Sequence, residues 1–126
     1  MIFSSFLKSL SSSMIKVYGI KNCDSVKKAL SFFKKHDLAY ELFDFKTQEL
    51  PCGKIDYWVS KVGIKPLFNT RSTTYRNLKL KELNLDEQQQ QEWLCKENLL
   101  IKRPVVEYND DVLVGFNEEQ YQRSFL

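Results

Sequence analysis

Between Ile15 and Phe45 the hydrophobic period of the chain changes twice, and few folds accommodate the result. Ile15-Lys16-Val17-Tyr18-Gly19 is a short apolar stretch of strand type, followed by a turn at Ile20-Lys21-Asn22. From Asp24 to His36 the apolar residues Val26, Ala29, Leu30 and Phe33 recur at helical spacing. Tyr40 to Phe45 then alternates as a second strand, reached through the short His36-Asp37-Leu38 link. Strand, helix and strand joined this tightly predict a parallel βαβ unit.

The remainder predicts helices and then a hairpin. Leu50-Pro51-Cys52-Gly53 reads as a turn, and from Lys54 the positions Ile55, Trp58, Val59 and Val62 mark a second helix ending near Gly63. Pro66 to Lys79 is polar and threonine-rich, so short helical or irregular structure is expected there. Asp86 is placed to cap a glutamine-rich helix running to Asn98, with Trp93 and Leu94 on its inner side. Val105–Tyr108 and Val112–Val114 flank Asn109-Asp110-Asp111, the pattern of a tight hairpin, and Asn117 can cap a last helix holding Tyr121 and Phe125. The order β-α-β, helices, β-β-α is the thioredoxin arrangement with a helical insertion. The expected fold is therefore α/β, with a mixed four-stranded sheet.

A chain of 126 residues is long enough to close one core without disulfides or metal, so residues 14–126 are expected to form a single domain. Hydrophobic residues make up 43%, and no apolar run approaches the roughly 20 residues that cross a bilayer. A net charge of +3 is too small to argue for direct nucleic-acid binding, yet it suits a small anionic substrate. Cys23, Cys52 and Cys95 are odd in number and widely spaced, and there is one histidine. Neither a disulfide framework nor a metal site is expected from this set, and the expected compartment is the reducing cytoplasm. Met1 to Ser13 has one lysine, a weak apolar patch and a serine run, and it is read as a flexible extension rather than a secretory signal.

Cys23 stands where the first strand gives way to the helix. There the unpaired backbone N–H groups and the dipole favour a thiolate over a thiol. A buried structural cysteine is the competing interpretation, and position alone leaves both open. Arg103 precedes Pro104 at the entry to the hairpin, which holds its backbone extended. Alone it reads as a surface charge; the thioredoxin layout brings it beside the turn holding Cys23. Arg71 lies in the polar run Asn69-Thr70-Arg71-Ser72-Thr73-Thr74, which suits either an oxyanion or a turn whose hydroxyls satisfy local backbone groups. Cys23-Asp24-Ser25-Val26 is not a Cys-x-x-Cys pair. Cys95, beside Trp93 and Leu94, is expected in the core, and Cys52, between Pro51 and Gly53, at the surface.

Four ordered motifs resemble the arsenate reductase (ArsC)/Spx family of thioredoxin-like bacterial proteins. They are Val17-Tyr18-Gly19-Ile20-Lys21-Asn22-Cys23-Asp24, Asn69-Thr70-Arg71-Ser72, Lys102-Arg103-Pro104 and Val114-Gly115-Phe116-Asn117-Glu118. The first looks closest to the YffB branch, and the likeness runs from about Ile15 to Phe125. The resemblance implies that Cys23 is the nucleophile and that Arg103 stabilises its thiolate and an oxyanion, with Pro104 after a cis bond. It places Asn22, Arg71 and Pro104 at the substrate. Two arginines of arsenate reductases fall at Asn69 and Phe116 here.

The implied activity is that of a thiol reductase coupled to glutathione or glutaredoxin. It would act on a small oxyanion or an oxidised thiol, with glutathione as co-substrate and no bound cofactor or metal. The alternative is an Spx-like regulator that binds the C-terminal domain of the RNA polymerase α subunit. Neither function implies a membrane or direct contact with nucleic acid.

Overall fold

Val17 is paired on both sides, and that pairing organises the sheet. Strand β1 (Ile15–Gly19) runs parallel to β2 (Tyr40–Asp44), with Val17 opposite Leu42. On its other edge β1 is antiparallel to β3 (Val105–Tyr108), with Val17 opposite Val106. Strand β4 (Asp111–Val114) continues the row, placing Leu113 opposite Val106. Leu42, Val17, Val106 and Leu113 thus line up across the mixed sheet, whose order is β2-β1-β3-β4. The computed structural model describes residues 14–126, so the expectation for residues 1–13 lies outside the described residues.

Two helices supply the apolar cover for that row. Helix α1 (Asp24–Lys35) buries Val26, Ala29, Phe32 and Phe33, and it carries Asp24 in its first turn and Lys34 and Lys35 in its last, as the helix dipole favours. Helix α6 (Glu118–Phe125) is short, and its N-cap Asn117 accepts a hydrogen bond from the Gln120 N–H at 2.9 Å. Tyr121 and Phe125 project from α6 into a cluster with Phe32 and Phe33. Phe33 and Tyr121 stack at 5.6 Å between ring centroids, and Phe125 meets Phe33 edge-on at 5.1 Å. The β3–β4 turn is Asn109-Asp110, both with positive φ (49° and 66°), which is the two-residue geometry matching strand twist.

By compactness the chain divides into two units. The first comprises the described residues up to Asp44 with Arg103–Leu126, and the second is Phe45–Lys102. The sheet, α1 and α6 form the first unit. The second holds α2 (Cys52–Val62), α3 (Ile64–Leu67), α4 (Thr73–Asn77) and α5 (Glu87–Lys96), with 3-10 turns at Leu80–Leu83 and Asn98–Leu100. Asp86 caps α5 in a capping box: its carboxylate accepts from the Gln89 N–H, and the Gln89 side chain accepts from the Asp86 N–H. Trp58 of α2 and Leu94 of α5 are fully buried, whereas Trp93 is half-exposed with Lys96 over its ring at 4.6 Å.

Three expectations need correction. Cys52 and Gly53 belong to the first turn of α2 rather than to a turn before it, because Pro51 takes the extended N-cap conformation and the helix starts directly after it. Cys52 and Cys95 are joined by a disulfide, with their Cα atoms 5.2 Å apart. Cys95 is therefore half-buried beside its partner instead of sitting in the core, and the absence of any disulfide expected from cysteine spacing does not hold. The packing of α2 on α5 creates the pair, and spacing along the chain carries no trace of it. No helix among the described residues is long and apolar enough to cross a membrane.

Candidate active site

Cys23 is the N-cap of α1. Its backbone is extended (φ −140°, ψ 125°), and its carbonyl accepts the first helical hydrogen bond, from the Lys27 N–H at 2.9 Å. Its side chain makes no capping hydrogen bond, so the thiol stands at the helix start without being consumed as a cap. Cys23 is half-exposed, and Asn22 before it is exposed. The turn is anchored where the Lys21 N–H donates to the buried Asp44 carboxylate at 3.3 Å. Cys23 is the free cysteine among the described residues.

Gly19 draws the other half of the site together. It ends β1, and a Cβ there would run into Val26 of α1 and would lie 3.7 Å from Arg103 Cβ. Arg103 therefore packs against the backbone that leads into the Cys23 turn. The Arg103–Pro104 bond is cis. The Pro104 carbonyl accepts from the Gly115 N–H at 2.7 Å, and the Gly115 carbonyl accepts from the Tyr121 hydroxyl at 2.8 Å. Gly115 has φ 82°, a conformation that suits glycine. This relay ties the segment at Arg103 to the aromatic cluster. Sequence inspection names Gly115 within a motif and Tyr121 within the last helix but does not join them, since nothing local announces a hydroxyl reaching back six residues.

Arg103 is half-buried, and its Nε is buried without a hydrogen-bond acceptor among the described residues. A buried guanidinium nitrogen lacking an acceptor is uncommon, because leaving such a donor unpaired is costly. On β1 beside this site, the Tyr18 hydroxyl donates to Glu107 Oε1 at 3.2 Å. Burial chiefly, and then the Glu107 carboxylate, push its pKa upward.

Of the residues expected at the site, Cys23, Asn22, Arg103 and Pro104 all lie in the first unit. Arg71 belongs to the second and is exposed. Its N–H donates to Asn69 Oδ1 at 3.0 Å, and its carbonyl accepts from Arg76 Nη1 at 3.0 Å. Ser72 caps α4 by accepting from the Tyr75 N–H at 3.0 Å. Asn69 and Ser72 thus serve the local backbone, as the capped-turn reading of this run expects. No cluster of three or more metal-ligating side chains occurs among the described residues.

A model of the ArsC family matches residues 18–124. The chain belongs to the ArsC family. Among its relatives, an uncharacterised protein of Haemophilus influenzae is 41% identical over 113 residues, covering 89% of this chain and 99% of the other. The global transcriptional regulator Spx of Listeria innocua is 27% identical over 112 residues, covering 87% and 86%. Of solved structures, the YffB (PA3664) protein superimposes with a TM-score of 0.82 at 32% identity, covering 89% of this chain and 99% of that one. An arsenate reductase (ArsC) related protein from Brucella melitensis gives 0.71 at 33% identity, covering 90% and 96%. The α/β thioredoxin-like fold with a mixed four-stranded sheet is that of these ArsC proteins.

Proposed function

We propose that this ArsC-family protein is a thiol-dependent oxidoreductase of the reducing cytoplasm, with Cys23 as nucleophile and Arg103 as the group that holds its anionic substrate. The observation carrying this reading is the packing of Arg103 against Gly19, the end of the strand that leads into the Cys23 turn. Arg103 is half-buried, and its terminal guanidinium nitrogens would meet an oxyanion or a substrate carboxylate, groups that arginine binds in a fork. Asn22 and the cis Pro104, in the same unit, would border that substrate.

The chemistry is a displacement in two steps. With an oxidised thiol, the Cys23 thiolate attacks one sulfur and the other leaves as a thiolate, giving a mixed disulfide on Cys23. Val26, fully buried, fills the position that a resolving cysteine would take in a Cys-x-x-Cys motif. A second thiol must therefore attack, and glutathione, directly or through glutaredoxin, is the co-substrate of this proposal. Its thiolate displaces Cys23 and regenerates the starting enzyme.

The likeness to Spx favours a second reading, a regulator binding the C-terminal domain of the RNA polymerase α subunit through the exposed Arg71 region. Turnover of hydroxyethyl disulfide and of arsenate, coupled to glutathione and glutathione reductase, separates the two. The enzyme reading expects turnover that falls at least about a hundredfold in Cys23→Ser. Undiminished turnover in that variant overturns it. So does the absence of turnover together with stable binding to the polymerase domain, which would establish the regulator instead.

A further inference from the structure

The disulfide in the second unit is the chemistry that the Cys23 site does not use. Cys52 is exposed, is the first residue of α2, and follows an N-cap, Pro51, that makes no side-chain cap. The first turn of α2 contains no acidic residue. Cys95, the penultimate residue of α5, is half-buried. The pair opens onto a cavity of about 390 Å³ lined by Cys52, Asp56, Gln88, Gln91, Glu92 and Cys95. A small thiol fits that volume.

The two helices are also joined by contacts other than the disulfide. Gln91 Nε2 donates to Asp56 Oδ1 at 2.6 Å, joining α5 to α2 beside the disulfide. Trp58 and Leu94 remain buried in the same pair of helices. These contacts do not depend on the disulfide, as a reversible centre requires.

We propose that Cys52 and Cys95 form a second thiol–disulfide exchange centre, separate from Cys23, that takes small uncharged or cationic thiols and their disulfides. A thiolate RS⁻ attacks the exposed Cys52 sulfur; the bond to Cys95 breaks, and its electron pair leaves on Cys95, which takes a proton from water. A second RS⁻ attacks the outer sulfur of the Cys52 mixed disulfide and releases RSSR and the Cys52 thiolate. Two thiols are oxidised and one protein disulfide is reduced, and RSSR drives the reverse. The charge preference comes from the lining: its ionisable side chains besides the cysteines are the carboxylates of Asp56 and Glu92. The neighbouring Lys54 and Lys96 ammonium groups lie over the Tyr57 and Trp93 rings. An anionic thiol meets repulsion there.

The test uses the full chain carrying Cys23→Ser, oxidised with cystamine and left native. It is treated with cysteamine or with 2-mercaptoethanesulfonate at equal thiolate concentration, and free thiols are counted by maleimide labelling and mass spectrometry. The expected result is two labels appearing together, several-fold faster with cysteamine, and their joint loss when cystamine is returned. A Cys95→Ser form should trap one mixed disulfide on Cys52, and a Cys52→Ser form should react far more slowly at Cys95. Thiols that stay free in cystamine overturn the proposal. So does a disulfide reduced only after unfolding in guanidinium, or one reduced at least as fast by the sulfonate.

Discussion

A Cβ placed on Gly19 would stand 2.7 Å from Val26 Cγ2, inside any tolerable contact. The end of β1 and the first turn of α1 therefore approach as closely as the backbone allows, and that approach sets the span of the Cys23 turn. Val26 is β-branched and fully buried, so it has no rotamer into which to retreat. Gly19→Ala should cost roughly 1–3 kcal/mol through overpacking, more than the few tenths gained by stiffening the unfolded chain. Urea unfolding of Gly19→Ala, Val26→Ala and the double variant checks it: the double variant should lose less than the sum of the singles.

Arg103 makes an opposite prediction for stability and for activity. Because its Nε lacks an acceptor, Arg103→Met removes an unpaired buried donor and leaves none behind. Stability should stay within about 0.5 kcal/mol of the parent or rise, whereas kcat/KM for an anionic substrate should fall about a hundredfold. Thermal unfolding and steady-state kinetics on the same samples provide the check. A loss of both together would make Arg103 a structural residue.

Asn117 holds the start of a helix of eight residues that supplies Tyr121 and Phe125 to the core. Asn117→Ala should therefore cost about 1 kcal/mol, and Asn117→Asp or Asn117→Ser should restore most of it. Hydrogen exchange should show the loss first in α6 rather than evenly through the sheet.

Alkali should unfold the protein through two tyrosines. Burial raises the pKa of Tyr121, and burial followed by the Glu107 carboxylate raises that of Tyr18. Below pH of about 10 both phenols keep their protons whether the chain is folded or not. Above it the unfolded chain releases protons that the folded chain retains, so stability falls by roughly 1.4 kcal/mol per pH unit for each tyrosine. Tyr121→Phe should halve that slope. It should also cost about 1–2 kcal/mol at neutral pH by leaving the Gly115 carbonyl without its 2.8 Å partner.

Sequence inspection recovers what is encoded locally. The change from strand to helical period around Cys23, the Asn109-Asp110 turn and the caps at Asp86 and Asn117 are short-range signals, and each appears where it is expected. The start of α2 was hidden because Pro51 and Gly53 together resemble a turn, while proline in an extended N-cap also opens a helix. The Cys52–Cys95 pair and the Pro104–Gly115–Tyr121 relay were hidden for another reason. Both join residues whose proximity depends on packing between elements, which no window of sequence contains.

The first unit is discontinuous: β1 and β3 are neighbours in the sheet, yet Phe45–Lys102 is threaded between them in the chain. On the ribosome this imposes a schedule. All of the second unit must be synthesised before Val106 can reach Val17, and the ordering of its helices shortens the gap that the two strands must close. Until then the nascent chain displays β1, α1 and β2 with one flank of β1 uncovered, and Cys23 is already present without Arg103. Cys23 is thus made early and Arg103 late, and the first unit is whole only once Arg103–Leu126 joins the residues up to Asp44.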